Sequence, residues 1–271
     1  MELGAHLPLI DFGAGPPSLA DLRAYATCAS ELGYDWLCAN DHLLFPRPWL
    51  DGPAALAATI DASGAMTLAT TVLLPVIRGP LQSAKLVAAL DHLSGGRFVA
   101  GVGPGSSARD YEAAGVPFEE RWPRFDAVLR DLHELLPERP PLWVASWGSP
   151  AGLRRVARRG DGWIASGYNT TPERFAACRA ALPASFPNAV ATMWCYVTER
   201  RAKAERMLAD VLAPMLNRPV EALRDLSLPI GSGADCAERI AAFRDAGAER
   251  VLVWPLADEL EQLEHFRDAV S

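Results

Sequence analysis

Apolar and polar positions follow two alternating periods along the whole chain, short β-branched or apolar runs giving way to longer stretches with helical spacing. The short runs predict strands at about 3–8, 35–40, 68–74, 98–103, 141–146, 162–166, 189–197 and 250–254. Phe98-Val99-Ala100-Gly101-Val102 is apolar throughout, which suits a strand buried on both faces of a parallel sheet. The stretch after each strand reads as amphipathic. Leu19, Leu22 and Ala26 share a face in the first, and Leu81, Ala84, Leu86 and Leu90 do so in the third. Eight strands and eight helical segments fit an α/β fold of the (β/α)8 TIM-barrel type better than a doubly wound sheet. No Gly- or Ser-rich linker divides the chain, so residues 1–271 are expected to form a single domain. The stretch from about Ala213 to Gly233 is longer than an ordinary loop and interrupts the last unit. It is expected over the barrel mouth or on its flank.

In such a barrel the loops after strands face the active site, and those after helices face the stabilising end. Ser94-Gly95-Gly96-Arg97 and Gly160-Asp161-Gly162 both follow helices. They are therefore expected to be structural, with a glycine ending each helix in the left-handed conformation.

Composition narrows the partners. Half the residues are hydrophobic and 22% are charged, which excludes intrinsic disorder. The net charge of −7 offers no basic face for nucleic acid or an anionic membrane. No apolar run approaches the roughly 18 residues of a membrane span. Residues 1–6 show neither a basic nor an apolar signal segment, so no signal peptide is expected. The five cysteines form no C-x-x-C and read as free thiols in a reducing, cytoplasmic setting.

Three strand-end segments could carry chemistry. Asn40-Asp41-His42 follows the second strand. His42 could exchange a proton near neutral pH, with Asp41 orienting or charging it. Alternatively, Asp41 caps the next segment and His42 is an ordinary satisfied polar residue. Gly101 to Ser107 follows the fourth strand. It is not a dinucleotide fingerprint, because position 106 is Ser and no helix is expected to start there directly. Its glycines allow close approach to a flat ligand or an anion, or they make a tight turn. Ser146-Trp147-Gly148-Ser149-Pro150 ends the fifth strand, with Ser149 suited to an N-cap and Pro150 to the first helical position. Its free N–H groups make a phosphate site, unless capping is their whole role. Arg109 is a nearby arginine that could assist. Trp147 and Trp254 end strands on the functional side and could line a pocket for a planar ring. There is no H-x-H, H-E-x-x-H or clustered Cys/His, so no catalytic metal is expected. A G-x-S-x-G elbow and a P-loop are missing too.

Read together, these segments resemble the luciferase-like superfamily of flavin- and deazaflavin-dependent oxidoreductases. The resemblance rests on Leu32-Gly33-Tyr34-Asp35-Trp36 running to Asp41-His42, and on Leu68-Ala69-Thr70-Thr71-Val72-Leu73. It continues through Leu90-Asp91-His92-Leu93-Ser94-Gly95-Gly96-Arg97-Phe98, Glu120-Arg121, Gly160-Asp161-Gly162-Trp163 and Pro229-Ile230-Gly231-Ser232. It implies a cytoplasmic enzyme, a homodimer through its barrel helices, that acts on a small-molecule substrate with FMN or the deazaflavin coenzyme F-420 at the barrel mouth. Thr71-Val72 would form a non-prolyl cis peptide behind the ring. Ser146, Trp147 and Gly148 would hold the coenzyme phosphate, helped by Gly103, Gly105, Ser106 and Ser107. His42, with Asp41, would sit beside ring and substrate.

Two departures matter. Ser106 stands where deazaflavin-dependent sugar-phosphate dehydrogenases carry a glutamate, which argues against sugar-phosphate oxidation. The chain is also short between Asp126 and Pro140, implying an open mouth. FMN would support monooxygenation, whereas a deazaflavin passes hydride without activating oxygen. The Arg-rich, Lys-poor composition and the run Asp41 to Pro46 lean to the deazaflavin branch. A non-catalytic flavin-binding protein is the competing reading from another class.

Overall fold

A computed structural model describes residues 1–13 and 15–271. Eight parallel strands close into a barrel: β1 (Glu2–His6), β2 (Trp36–Ala39), β3 (Thr67–Thr70), β4 (Phe98–Val102), β5 (Leu142–Ala145), β6 (Gly162–Ser166), β7 (Asn188–Val197) and β9 (Arg250–Pro255). Each pairs with the next, and β9 closes the ring on β1, with Leu3 opposite Val251 and Ala5 opposite Val253. The two-residue β8 (Ile230–Gly231), which the hydrophobic pattern did not reveal, adds to the end of β7. β3 stops at Thr70, short of the expected 74. The Thr71–Val72 peptide is cis, and Leu73 rejoins Val102 through an isolated bridge.

A gradient of side-chain size inside the ring creates the site. At the N-terminal end Trp36 and Trp143 fill the barrel, their rings 5.5 Å apart. They fit because Gly162 has no side chain: a Cβ there would lie 2.5 Å from the Trp143 indole. The Arg250 guanidinium covers both indoles, at 5.4 and 5.2 Å, and pairs with Glu2 at 2.7 Å. Toward the C-terminal end the inward residues shrink to Gly103, Ala145 and Ala191, and a cavity opens there.

Outside the ring, Phe98, Phe125, Phe175, Phe243 and Phe266 are fully buried between strands and helices. Leu22 and Ala26 join this core, as do Ala84 and Leu90, whereas Leu19 and Leu81 are 53% and 64% exposed. Both lie in the first turn of their helices, beyond the part that reaches the sheet.

The two helix-to-strand turns lie away from the cavity. Gly95 and Gly96 adopt φ +68° and +80°. Gly160, expected to be left-handed, is extended at φ −107° instead. The neighbouring Asp161 explains the difference: its carboxylate ties the chain to the start of β5 as it enters β6, accepting the Leu142 N–H at 2.8 Å and pairing with Arg139. The 213–233 stretch forms helices Ala213–Leu216 and Val220–Arg224 before entering β8. It buries Leu223 and Leu228 and braces the loop after β6, Arg218 donating to the Tyr168 carbonyl at 2.6 Å. Among the described residues, no helix is long and apolar enough to cross a membrane.

Candidate active site

The cavity holds about 500 Å³ at the C-terminal ends of the strands. Its floor is polar and connected. The Thr71 hydroxyl donates to Asn40 Oδ1 at 3.1 Å, and Asn40 Nδ2 donates to Thr192 Oγ1 at 3.2 Å. Thr192 lies where the β7–β9 register shifts, and its φ of +54° is costly for a β-branched residue, of the order of 1–3 kcal/mol. Its backbone N–H is received by His6 Nε2 at 3.1 Å. His6 is fully buried, and burial pushes its pKa down to about 3, so the ring is neutral. It stacks on Trp254, 4.8 Å away and 6° from parallel. Trp254, a candidate pocket wall by its place at a strand end, does not line the cavity. It is 1% exposed behind His6 and stacked on Trp194, while Trp147 does line the cavity and is half exposed.

Asp41 and His42 both reach the cavity, but they do not act on each other. Asp41 turns to Arg78, which binds both carboxylate oxygens at 2.7 Å, and it also accepts the Leu74 N–H at 3.1 Å. These hydrogen bonds outweigh burial and hold the Arg78 guanidinium still more firmly charged than usual. Asp41 therefore neither orients His42 nor caps the next helix, whose N-cap is Asp51. His42 pairs instead with the buried Asp110, Nδ1 to Oδ2 at 2.9 Å, and packs its ring against Phe45 and Trp49. The other Asp110 oxygen accepts the Leu44 N–H at 2.9 Å. Burial opposes charge on Asp110, but the His42 and Leu44 hydrogen bonds prevail and keep its pKa below the usual carboxylate value.

Asp110 sits on a helix, Ala108–Ala113, that starts directly after the glycine loop, where none was expected. Ser107 is its N-cap and accepts the Asp110 N–H at 3.2 Å, so Ser107 serves the helix and does not line the cavity. The Ser-x-x-Asp spacing could have announced this helix. Nothing local in sequence linked Asp110 to His42.

Of the other expected binding residues, Thr71, Val72, Gly103, Gly105, Ser106, Ser146 and Trp147 line the cavity. Gly148 does not. It adopts φ +87° and packs beneath the loop, where a Cβ would collide with Cys178 Sγ. Ser146 Oγ accepts the Gly148 N–H at 3.2 Å, and Ser149 caps the helix Pro150–Arg159 as expected. Arg109 is exposed and outside the cavity, because its helix turns Asp110 inward and Arg109 out. The arginines that do line it are Arg121 and Arg174. Arg174 donates to the Trp147 carbonyl at 2.9 Å, while Arg121 lies 3.9 Å over the Phe118 ring. Arg121 belongs to a segment that carried the resemblance, but no local pattern signals that Arg174 approaches Trp147.

A family model described as luciferase-like monooxygenase matches residues 6–219. The F420-dependent glucose-6-phosphate dehydrogenase of Beutenbergia cavernae is 30% identical over 225 residues, 70% of this chain and 61% of its own. The enzyme of the same name from Amycolatopsis mediterranei is 30% identical over 178 residues, 53% of this chain and 52% of its own. The chain thus spans between half and two thirds of the length of these relatives. The crystal structure of the monooxygenase RslO1 from Streptomyces bottropensis superposes with a TM-score of 0.82, covering 100% of this chain and 98% of that one. At 18% identity, that likeness speaks for the fold alone.

Proposed function

The chain belongs to the luciferase-like monooxygenase family, and from that premise we propose that it is an oxidoreductase that holds coenzyme F-420 or FMN at the barrel mouth and passes hydride between it and a small organic substrate. One observation carries this reading: an apolar slot with a donor-lined end. Val72, Ala145, Ile164 and Ala191 offer flat apolar surface, and Gly103, packed against Val72 and Ala145, adds no side chain to it. At the edge stand Ser146, Ser149 and Arg174, next to the first turn of Pro150–Arg159. Ser146 and Ser149 each accept a backbone N–H, which leaves their own hydroxyl protons free to donate. A planar ring joined to a phosphate fits that division of labour. When bound, either coenzyme supplies a ring that gives or takes two electrons as hydride, and FMN adds reactivity toward oxygen.

The residues of this chain then do the remaining work. Ser146, Ser149 and Arg174 hold the anion, and the floor of Asn40, Thr71 and Thr192 fixes the height of the ring. His42 faces the space left for substrate and exchanges its proton. Names of the curated relatives favour F-420, while Ser106 in place of the glutamate argues against a sugar phosphate as substrate.

The test is titration of the purified protein with F-420 and with FMN, following tryptophan fluorescence, since Trp147 lines the cavity. Saturable quenching by F-420 is the expected result. Saturation by FMN alone moves the reading to the oxygen-dependent branch. Binding without turnover in the presence of candidate substrates points to a flavin-binding protein, and no response to either coenzyme overturns the proposal.

A further inference from the structure

We infer that Asp110 locks His42 in the tautomer that carries its proton on Nδ1, so that Nε2 meets the ligand as a proton acceptor. The argument starts from the carboxylate. Asp110 is fully buried, and both its oxygens are engaged, Oδ1 by the Leu44 N–H and Oδ2 by His42 Nδ1, each at 2.9 Å. An ionised carboxylate has lone pairs and no proton to give, so the imidazole nitrogen facing it must be the donor. In a neutral ring this leaves Nε2 with its lone pair. Among the described residues Nε2 has no hydrogen-bond partner, and the His42 side chain borders the cavity. Phe45 and Trp49, 5.3 and 4.8 Å away centroid to centroid, brace the ring in this orientation.

The chemistry this selects is an O–H or N–H group on the ligand at the reacting end of the cavity. That consequence rests on the proposed function, whereas the tautomer does not. Asp110 touches neither ligand nor coenzyme space, so it is a positioning residue. It also ties the loop carrying His42 to the helix that follows Gly103–Ser106, joining two walls of the cavity.

Asp110→Asn gives a directional test. The Leu44 N–H still needs an acceptor, so the amide oxygen of the replacement turns to it. The amide NH2 then faces Nδ1, which can accept only without its own proton. The variant should therefore force the Nε2–H tautomer. The measurement is a long-range 1H–15N correlation on protein labelled with 15N-histidine, at alkaline pH where imidazole is neutral, with His42→Gln identifying the signals. Wild-type protein is expected to show His42 protonated at Nδ1, and Asp110→Asn to exchange the protonated and unprotonated nitrogen signals. A wild-type His42 protonated at Nε2, or a folded variant with unchanged signals, overturns the inference. If Asp110→Asn does not fold, the wild-type spectrum decides alone. Titrating the same wild-type sample with F-420 and FMN separates the two claims: failure to bind either overturns the functional reading and leaves the tautomer assignment standing.

Discussion

Arg78 grips Asp41 through both carboxylate oxygens, across 37 residues of chain, and turns it away from the histidine next to it. The same guanidinium also reaches Asp51, so one side chain pins both ends of the loop that carries His42. The mouth of the barrel is thereby held by an ion pair whose carboxylate is fully shielded from water.

Replacing Arg78 with Met should leave Asp41 as a buried charge with no opposite charge beside it, held by the Leu74 N–H alone. Breaking such a pair costs about 3–5 kcal/mol, and the lower end applies here because Arg78 is partly exposed. Arg78→Lys should recover only part of this, since lysine cannot make the two-pronged contact. Urea unfolding of the three proteins checks the order wild type, Lys, Met. Equal midpoints would show that the pair is not what holds the loop.

His6 should make the fold sensitive to acid. Its pKa is pushed down to about 3 by burial, from an ordinary value near 6.5. Below pH 6.5 the unfolded chain takes up a proton that the folded chain refuses. Stability is therefore lost as pH falls from 6.5 toward 3, by about 1.4 kcal/mol per pH unit from this group. His6→Gln should flatten that slope relative to wild type across the same window. Parallel stability–pH curves would mean that His6 does not stay neutral in the fold.

Arg174→Ala should weaken binding of a phosphate-bearing coenzyme with little effect on stability. A hydrogen bond to a charged group is worth about 1.5–3 kcal/mol, roughly a 10- to 100-fold loss of affinity. Fluorescence titration beside a thermal melt measures both. Undiminished affinity in a folded variant would put the anion elsewhere in the cavity.

Gly148→Ala should destabilise the protein even though Gly148 does not line the cavity. The left-handed backbone costs an alanine about 1–2 kcal/mol, and its Cβ would press on Cys178 Sγ. Gly95→Ala, left-handed as well but in open space, is the control and should cost less. A thermal-shift comparison of the two variants is sufficient.

The sequence by itself determined the barrel. Strand and helix periods are local properties, and burial on both faces makes each strand legible without knowing its neighbours. The same holds for Ser149 as a helix cap and for the two turns assigned to the face away from the ligand. The cis Thr71–Val72 peptide came from the resemblance rather than from any period. Tertiary structure alone decided the pairings that give the cavity its chemistry. His42 meets Asp110 across 68 residues, and His6 meets Thr192 across 186. Adjacency in sequence suggested Asp41 as the partner of His42, but successive side chains at a strand end diverge. A charged side chain then pairs with whatever opposite charge the neighbouring loops bring within reach, and barrel closure, not spacing along the chain, sets which loops are neighbours.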